Sequence, residues 1–281
     1  MRSGFSREFE MTEPPFSKEE LNKAWVKLGL QIKPMFASFK LGNKTIHVIG
    51  YRHGEEGRVV PTPEEVEQMK KYIAKISGKK TILVEGVAYH DKPIPAEVQV
   101  EYWREELKKT LPNANEIHEN AVPLEPGITN WIAKARKGEK AGTKETDGVL
   151  EALLEMNLTK EDRERFKKTE EYARQGLNIS AKNASTPEEF VKVILRNHPK
   201  KLFANLLREL AFAQTVSTHA NKTDSQHIVA MVGIDHFHTL QALLQRPKLA
   251  GKLIVQTPGI ARKALRENGR LNRRIISHLK L

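Results

Sequence analysis

Polar and apolar positions along the chain follow two periods, and the residues between them mark where one gives way to the other. Ser17 followed by Glu20 is a capping box, and it opens a short helix that stops at Gly29. Met35–Leu41 alternates apolar and polar residues, Gly42-Asn43 is a two-residue turn signal, and Lys44–Ile49 resumes as a strand. That pattern predicts a β-hairpin. Thr62-Pro63-Glu64-Glu65 is a strong helix start, and Val66, Met69, Tyr72, Ile73 and Ile76 follow at helical spacing until Gly78. Thr81–Val84 is a short apolar run that reads as a buried strand, so strand, helix and strand imply a right-handed crossover and a parallel pair.

Further along, a helix is expected from 95 to 109, a strand over 121–124 and a Lys- and Gly-rich loop over 134–144. The signal from 147 to 219 is helical and charged. Thr159 caps 160–175, Thr186-Pro187-Glu188-Glu189 opens another helix, and Leu202, Leu206, Leu210 and Ala213 share one face of 200–217. His227–Val232 reads as a buried strand broken by Gly233, with a helix beginning at Thr239 and a last strand over 253–255. The expected fold is α/β: a mainly parallel central sheet flanked by helices, with a β-hairpin near the N-terminus. It is read as one domain over 1–281, with a helical insertion at 145–215 and a basic helical tail at 260–281.

Composition narrows the chemistry. The chain has 281 residues and no Cys, so disulfides, thiolate metal sites and thiol nucleophiles are excluded. Any metal chemistry must use His and carboxylates. No secretory signal opens the sequence and no apolar run approaches a membrane span, which gives a cytoplasmic expectation. Lys and Arg number 47 against 35 Asp and Glu, a formal charge of +12. Residues 262–281 carry seven basic side chains against Glu267, and 134–144 carry five against Glu139. The basic tail, with Leu271, Ile275 and Leu279 at helical spacing, reads either as a surface helix with a solvated face or as a contact for an anionic membrane surface or nucleic acid.

The common nucleotide-binding and hydrolase motifs are absent, and His118-Glu119 lacks the second His of a zinc helix. What remains is a pattern at strand ends. Ile46–Ile49 runs into Gly50-Tyr51-Arg52-His53, and Ile228–Val232 runs into Gly233-Ile234-Asp235-His236. Between them Ile82–Val84 runs into Glu85. Ligands of parallel sheets bind at the carboxyl ends of the strands, so three strands deliver two imidazoles and a carboxylate to one edge. Glycine in each motif is expected to permit the sharp turn. His53, Glu85 and His236 suffice as donors for a divalent Zn, Mn, Fe or Co ion with open positions. The competing reading is structural, with each His capping a helix or pairing with a carboxylate. Lesser candidates are Glu55 and Glu56 as base or ligand, His90 beside the site, Asp235 orienting an imidazole, and His238 as a first-turn residue facing water. His47 is expected to be a satisfied core or surface histidine.

The paired Gly-x-x-His motifs and the intervening Glu85 resemble the TraB/Tiki/ChaN-like superfamily, which includes erythromycin esterase. Leu206-Leu207-Arg208-Glu209-Leu210-Ala211 is similar to the helix in which that family carries a functional Arg. The resemblance implies an α/β fold and, for Tiki-like members, metal-dependent hydrolysis, with water on the ion attacking a peptide or ester carbonyl. It implies His53, Glu85 and His236 as the metal ligands and catalytic core, and Arg208 as the oxyanion partner. ChaN-like members bind haem, which gives the alternative of a non-catalytic haem- or partner-binding protein. The family's Asp-Arg pair corresponds here to Leu124-Glu125-Pro126-Gly127, where Glu125 could supply the carboxylate and the Arg is missing.

Overall fold

The computed structural model describes residues 16–30, 33–51, 62–85, 121–123, 149, 151–156, 158–174, 183–197, 206–250 and 277–278. The expected elements at 95–109, 134–144 and 253–255, and nearly all of the tail at 260–281, lie outside these residues.

The hairpin forms as the alternation predicts. Strand β1 (Met35–Leu41) pairs antiparallel with β2 (Lys44–Tyr51), from Met35 opposite Gly50 to Leu41 opposite Lys44. Gly42 takes the turn at φ +62°, a left-handed backbone that glycine adopts without a steric penalty. Helix α2 (Pro63–Ala74) starts at a complete Thr62/Glu65 capping box. Strand β3 (Lys80–Val84) follows, and β4 (Ala121–Pro123) lies beside it.

The sheet is mixed, in the order β1-β2-β5-β3-β4, where β5 is His227–Gly233. Only the β1–β2 pairing is antiparallel among these; β2–β5, β5–β3 and β3–β4 are parallel. The two strands flanking α2 are therefore not partners, contrary to expectation: β5 sits between them. From Ile228 onward β5 is buried at every position, which suits a central strand covered on both faces.

Helices α5 (Leu206–Lys222) and α6 (Ile234–Leu244) belong to the same unit. One sheet face, with Ile46, Val48, Ile228 and Ala230, packs against Leu210 and Ala213 of α5 and Leu240 and Leu243 of α6. The other face, with Ile49, Ile82, Val229 and Met231, packs against Met69 and Ile73 of α2. Each Val, Leu, Ile or Met among them, fully buried, contributes roughly 1.5–3 kcal/mol.

Helix α6 begins five residues earlier than Thr239. Gly233 is its N-cap at φ −57° and offers no capping side chain, so the sequence lacked the usual start signal. Gly233 ends the strand as expected, but the glycine of the first motif acts differently from expectation. Gly50 is the seventh residue of β2, in register with Met35 and Val232, and not in a turn. A Cβ there would lie 2.8 Å from Phe237 Cβ and 2.9 Å from its Cδ2. Gly50 therefore admits α6 to the sheet, and close approach is the reason for glycine.

The chain divides into two compact units, one of 32–167 and 200–281 that holds the sheet, the other of 1–31 and 168–199. The smaller contains α1 (Lys18–Lys27), the second half of α3 (Lys160–Arg174) and α4 (Pro187–Asn197). Leu21, Ala24 and Leu30 form a core there with Phe190 and Val191. The segment read as an insertion, 145–215, contributes to both units. No helix among the described residues is long and apolar enough to cross a membrane.

Candidate active site

The parallel strands β2, β5 and β3 end at one edge of the sheet, with Tyr51 opposite Gly233 and Val84 opposite Met231. Glu85 is the first residue past β3. Its backbone N–H still donates to Met231 O at 2.9 Å, which holds its side chain at the end of the central strand. The carboxylate is fully buried. Its Oε2 accepts a short hydrogen bond from the Gly233 N–H, so the carboxylate serves as the cap that α6 lacks in its own sequence. Helix N-termini favour such an anion.

His236 enters in the first turn of α6 and is 6% exposed. Its Nε2 lies 3.4 Å from Glu85 Oε1, and its Nδ1 lies 3.1 Å from Oε1 of Glu209. Phe212 meets the ring edge-on at 5.2 Å. The imidazole is thus held between two buried carboxylates, one just past β3 and one on α5. The two contacts differ in kind. The Nδ1–Glu209 contact is a hydrogen bond, and the Nε2–Glu85 contact is an ion pair at 3.4 Å. Two ligands bound at about 2.1 Å in a tetrahedral shell are themselves about 3.4 Å apart. The spacing of Nε2 and Oε1 therefore fits two donors of one ion, while Glu209 on Nδ1 occupies the place of a carboxylate that orients a ligating histidine.

The other sequence candidates are placed as follows. His53 lies two residues beyond β2, outside the described residues, as do Glu55, Glu56, His90, His118, Glu119 and Glu125. Arg208 is the third residue of α5, and its side chain is likewise outside. Among the described residues no three His, Asp or Glu side chains gather to hold a metal; Glu85 and His236 provide two. Asp235 is exposed, so the carboxylate orienting His236 is Glu209 instead. Glu209 was legible in principle, since it falls among Leu206, Leu210 and Ala213 at helical spacing, a charge within an apolar stripe.

His238 does not face water. It is 7% exposed, and its Nε2 lies 3.1 Å from Oδ2 of Asp162. Asp162 is also the third residue of α3 and accepts from the Thr159 hydroxyl at 2.8 Å, with Arg165 at 3.0 Å. Burial pushes its carboxyl up, but His238, Arg165 and Thr159 outweigh this and hold it well below the usual carboxylate range. His47 is a satisfied buried histidine: Nδ1 is 3.1 Å from the Tyr72 hydroxyl and Nε2 is 3.0 Å from His227 Nδ1. Burial, then the charges of His227 and Lys40, lower its pKa to about 4.

Comparisons of the chain with models of known protein families, with curated proteins and with solved structures give no match.

Proposed function

We propose that the chain is a metal-dependent hydrolase of peptide or ester bonds, of the TraB/Tiki-like kind, on a mainly parallel sheet. The observation that supports this most is the meeting of Glu85 and His236 at the carboxyl edge of three parallel strands, with Nε2 and Oε1 3.4 Å apart. A divalent ion, of Mn, Co, Zn or Fe, would be held by Glu85, His236 and His53. When bound, such an ion lowers the pKa of water and polarises a carbonyl.

The protein's own groups then have separable tasks. Gly233 N–H fixes one oxygen of Glu85 and leaves the other directed at His236. His236 is buried and held in one ring orientation, with Phe212 packed against the ring. Arg208 keeps the role that the resemblance gives it, offsetting negative charge as it develops on the carbonyl oxygen.

The test is to strip the protein with a chelator, reconstitute it with each metal in turn, and assay a quenched peptide library and an ester panel. Hydrolysis should return with metal and be absent in His236→Ala. Full metal content in His53→Ala and His236→Ala would show that the ligand assignment is wrong. A haem absorbance band on titration, without hydrolysis under any metal, would favour the non-catalytic alternative.

A further inference from the structure

The register of the sheet lines up three cross-strand rows on the face that α2 covers. Phe36, Ile49, Met231 and Val84 form the four-strand row nearest the Glu85 edge. Ser38, His47, Val229 and Ile82 form the next. At the opposite, N-terminal edge the row is Lys40, Thr45, His227 and Lys80. The first two rows pack under α2 through Met69, Ile73 and Tyr72. The last is at the surface: Lys40 is exposed, and Thr45, His227 and Lys80 are partly so.

This row concentrates positive charge. Lys40 donates to Thr45 Oγ1 at 2.8 Å, which holds its ammonium over the sheet next to His227's strand. His227, between the two lysines of the row, is pushed below its ordinary value by burial and then by Lys40 and Lys80. His47 behind it binds the same ring at 3.0 Å. Above the row Phe36 is 37% exposed, with its ring stacked on Tyr72 at 4.5 Å.

The dimensions indicate what such a surface takes. Lys40 and Lys80 stand three strand spacings apart, about 14 Å, and Phe36 lies four residues along β1 from Lys40, about 13 Å. That is longer than the reach from a base to its own phosphate, so one nucleotide cannot span it, whereas a strand of several can. Cations that follow a backbone beside an aromatic ring are the pattern of single-strand binding. A membrane surface would call for protruding apolar side chains beside the lysines, and here one ring supplies that part.

We propose that the row Lys40, Thr45, His227 and Lys80 at the N-terminal edge of the sheet, together with Phe36 farther along β1, forms a binding surface for single-stranded nucleic acid. The cationic row lies at the opposite edge from Glu85 and His236, and the surface does not depend on the hydrolase reading.

The experiment is fluorescence anisotropy with labelled 12-nucleotide oligo-dT and oligo-U on the full chain, at several salt concentrations. Lys40→Glu/Lys80→Glu should weaken binding at least about tenfold and lower the log–log salt slope by about 1.4, as two lost phosphate contacts require. Phe36→Ala should weaken it between about 5- and 150-fold at unchanged slope. Lys40→Gln/Lys80→Gln, a milder change at surface positions, covers the case in which the charge reversal misfolds. Absence of binding to either oligonucleotide, wild-type affinity in the Lys variants, or an unchanged affinity in Phe36→Ala overturns the proposal. So does binding to phosphatidylserine vesicles in place of the oligonucleotides.

Discussion

Replacing Gly50 by alanine tests how the sheet positions α6. The added methyl would lie 2.8 Å from Phe237 Cβ, against an ordinary contact of at least 3.4 Å, so a gap of about 0.6 Å must open. The opposing atom is fixed to the α6 backbone and cannot rotate away. Leu240, Leu243 and Leu244 hold the same helix in the core, so the movement is resisted. Overpacking of this kind costs roughly 1–3 kcal/mol. The lost freedom of the unfolded chain offsets about 0.4–1 kcal/mol of it. The expected net loss is about 1–2 kcal/mol, read from urea unfolding followed by circular dichroism. His236 precedes Phe237 in the helix, so the same shift should also weaken Mn²⁺ affinity. Gly42→Ala is the control: open space surrounds that position, and its φ of +62° alone makes alanine costly by about 1–2 kcal/mol. Gly42→Ala should destabilise without touching metal affinity. A Gly50→Ala protein within 0.5 kcal/mol of wild type, with unchanged metal affinity, would refute the packing argument.

Glu209→Gln should lower metal affinity about 10- to 100-fold while the fold survives, measured by isothermal titration calorimetry, because it alters the group that orients His236. Asp162→Ala should cost about 3–5 kcal/mol, since it unpairs buried His238 and removes the α3 cap. Thr159→Ala should cost only about 1 kcal/mol in the same denaturation assay, and equal losses would show that the His238 contact contributes nothing. His47 gives a pH dependence. Its folded value is about 4 and its unfolded value about 6.5, so the unfolded chain binds the extra proton between them. The stability this contributes is complete above about pH 6.5 and is lost as pH falls toward 4, with a ceiling of about 3 kcal/mol. In His47→Gln the denaturation midpoint should fall less steeply over that range, and a slope equal to wild type would remove His47 as its source.

The elements that the sequence announced by local chemistry formed as read. Ser17 and Thr62 cap their helices, Gly42-Asn43 turns the hairpin, and Thr159 opens α3. What could not be read depends on distant partners. The start of α6 was hidden because its cap is a carboxylate 148 residues earlier in the chain. The insertion of β5 between β2 and β3 follows from burial on both faces, which local periodicity does not rank. Glycine at position 50 looked like a turn signal, and only the packed Phe237 shows it to be a clearance. At the site, Glu85 and His236 were readable from strand ends, but Glu209 was passed over for Arg208 beside it and for Asp235 beside His236. Its role depends on where α5 packs.

A crystal soaked with Mn²⁺ and measured for anomalous scattering tests the central claim most directly. The account predicts a peak in coordination range of Glu85 Oε1 and His236 Nε2, with His53 as a third ligand and Glu209 still on Nδ1. A fully soaked crystal with no peak between Glu85 and His236, and the imidazole still held by the two carboxylates, would contradict it.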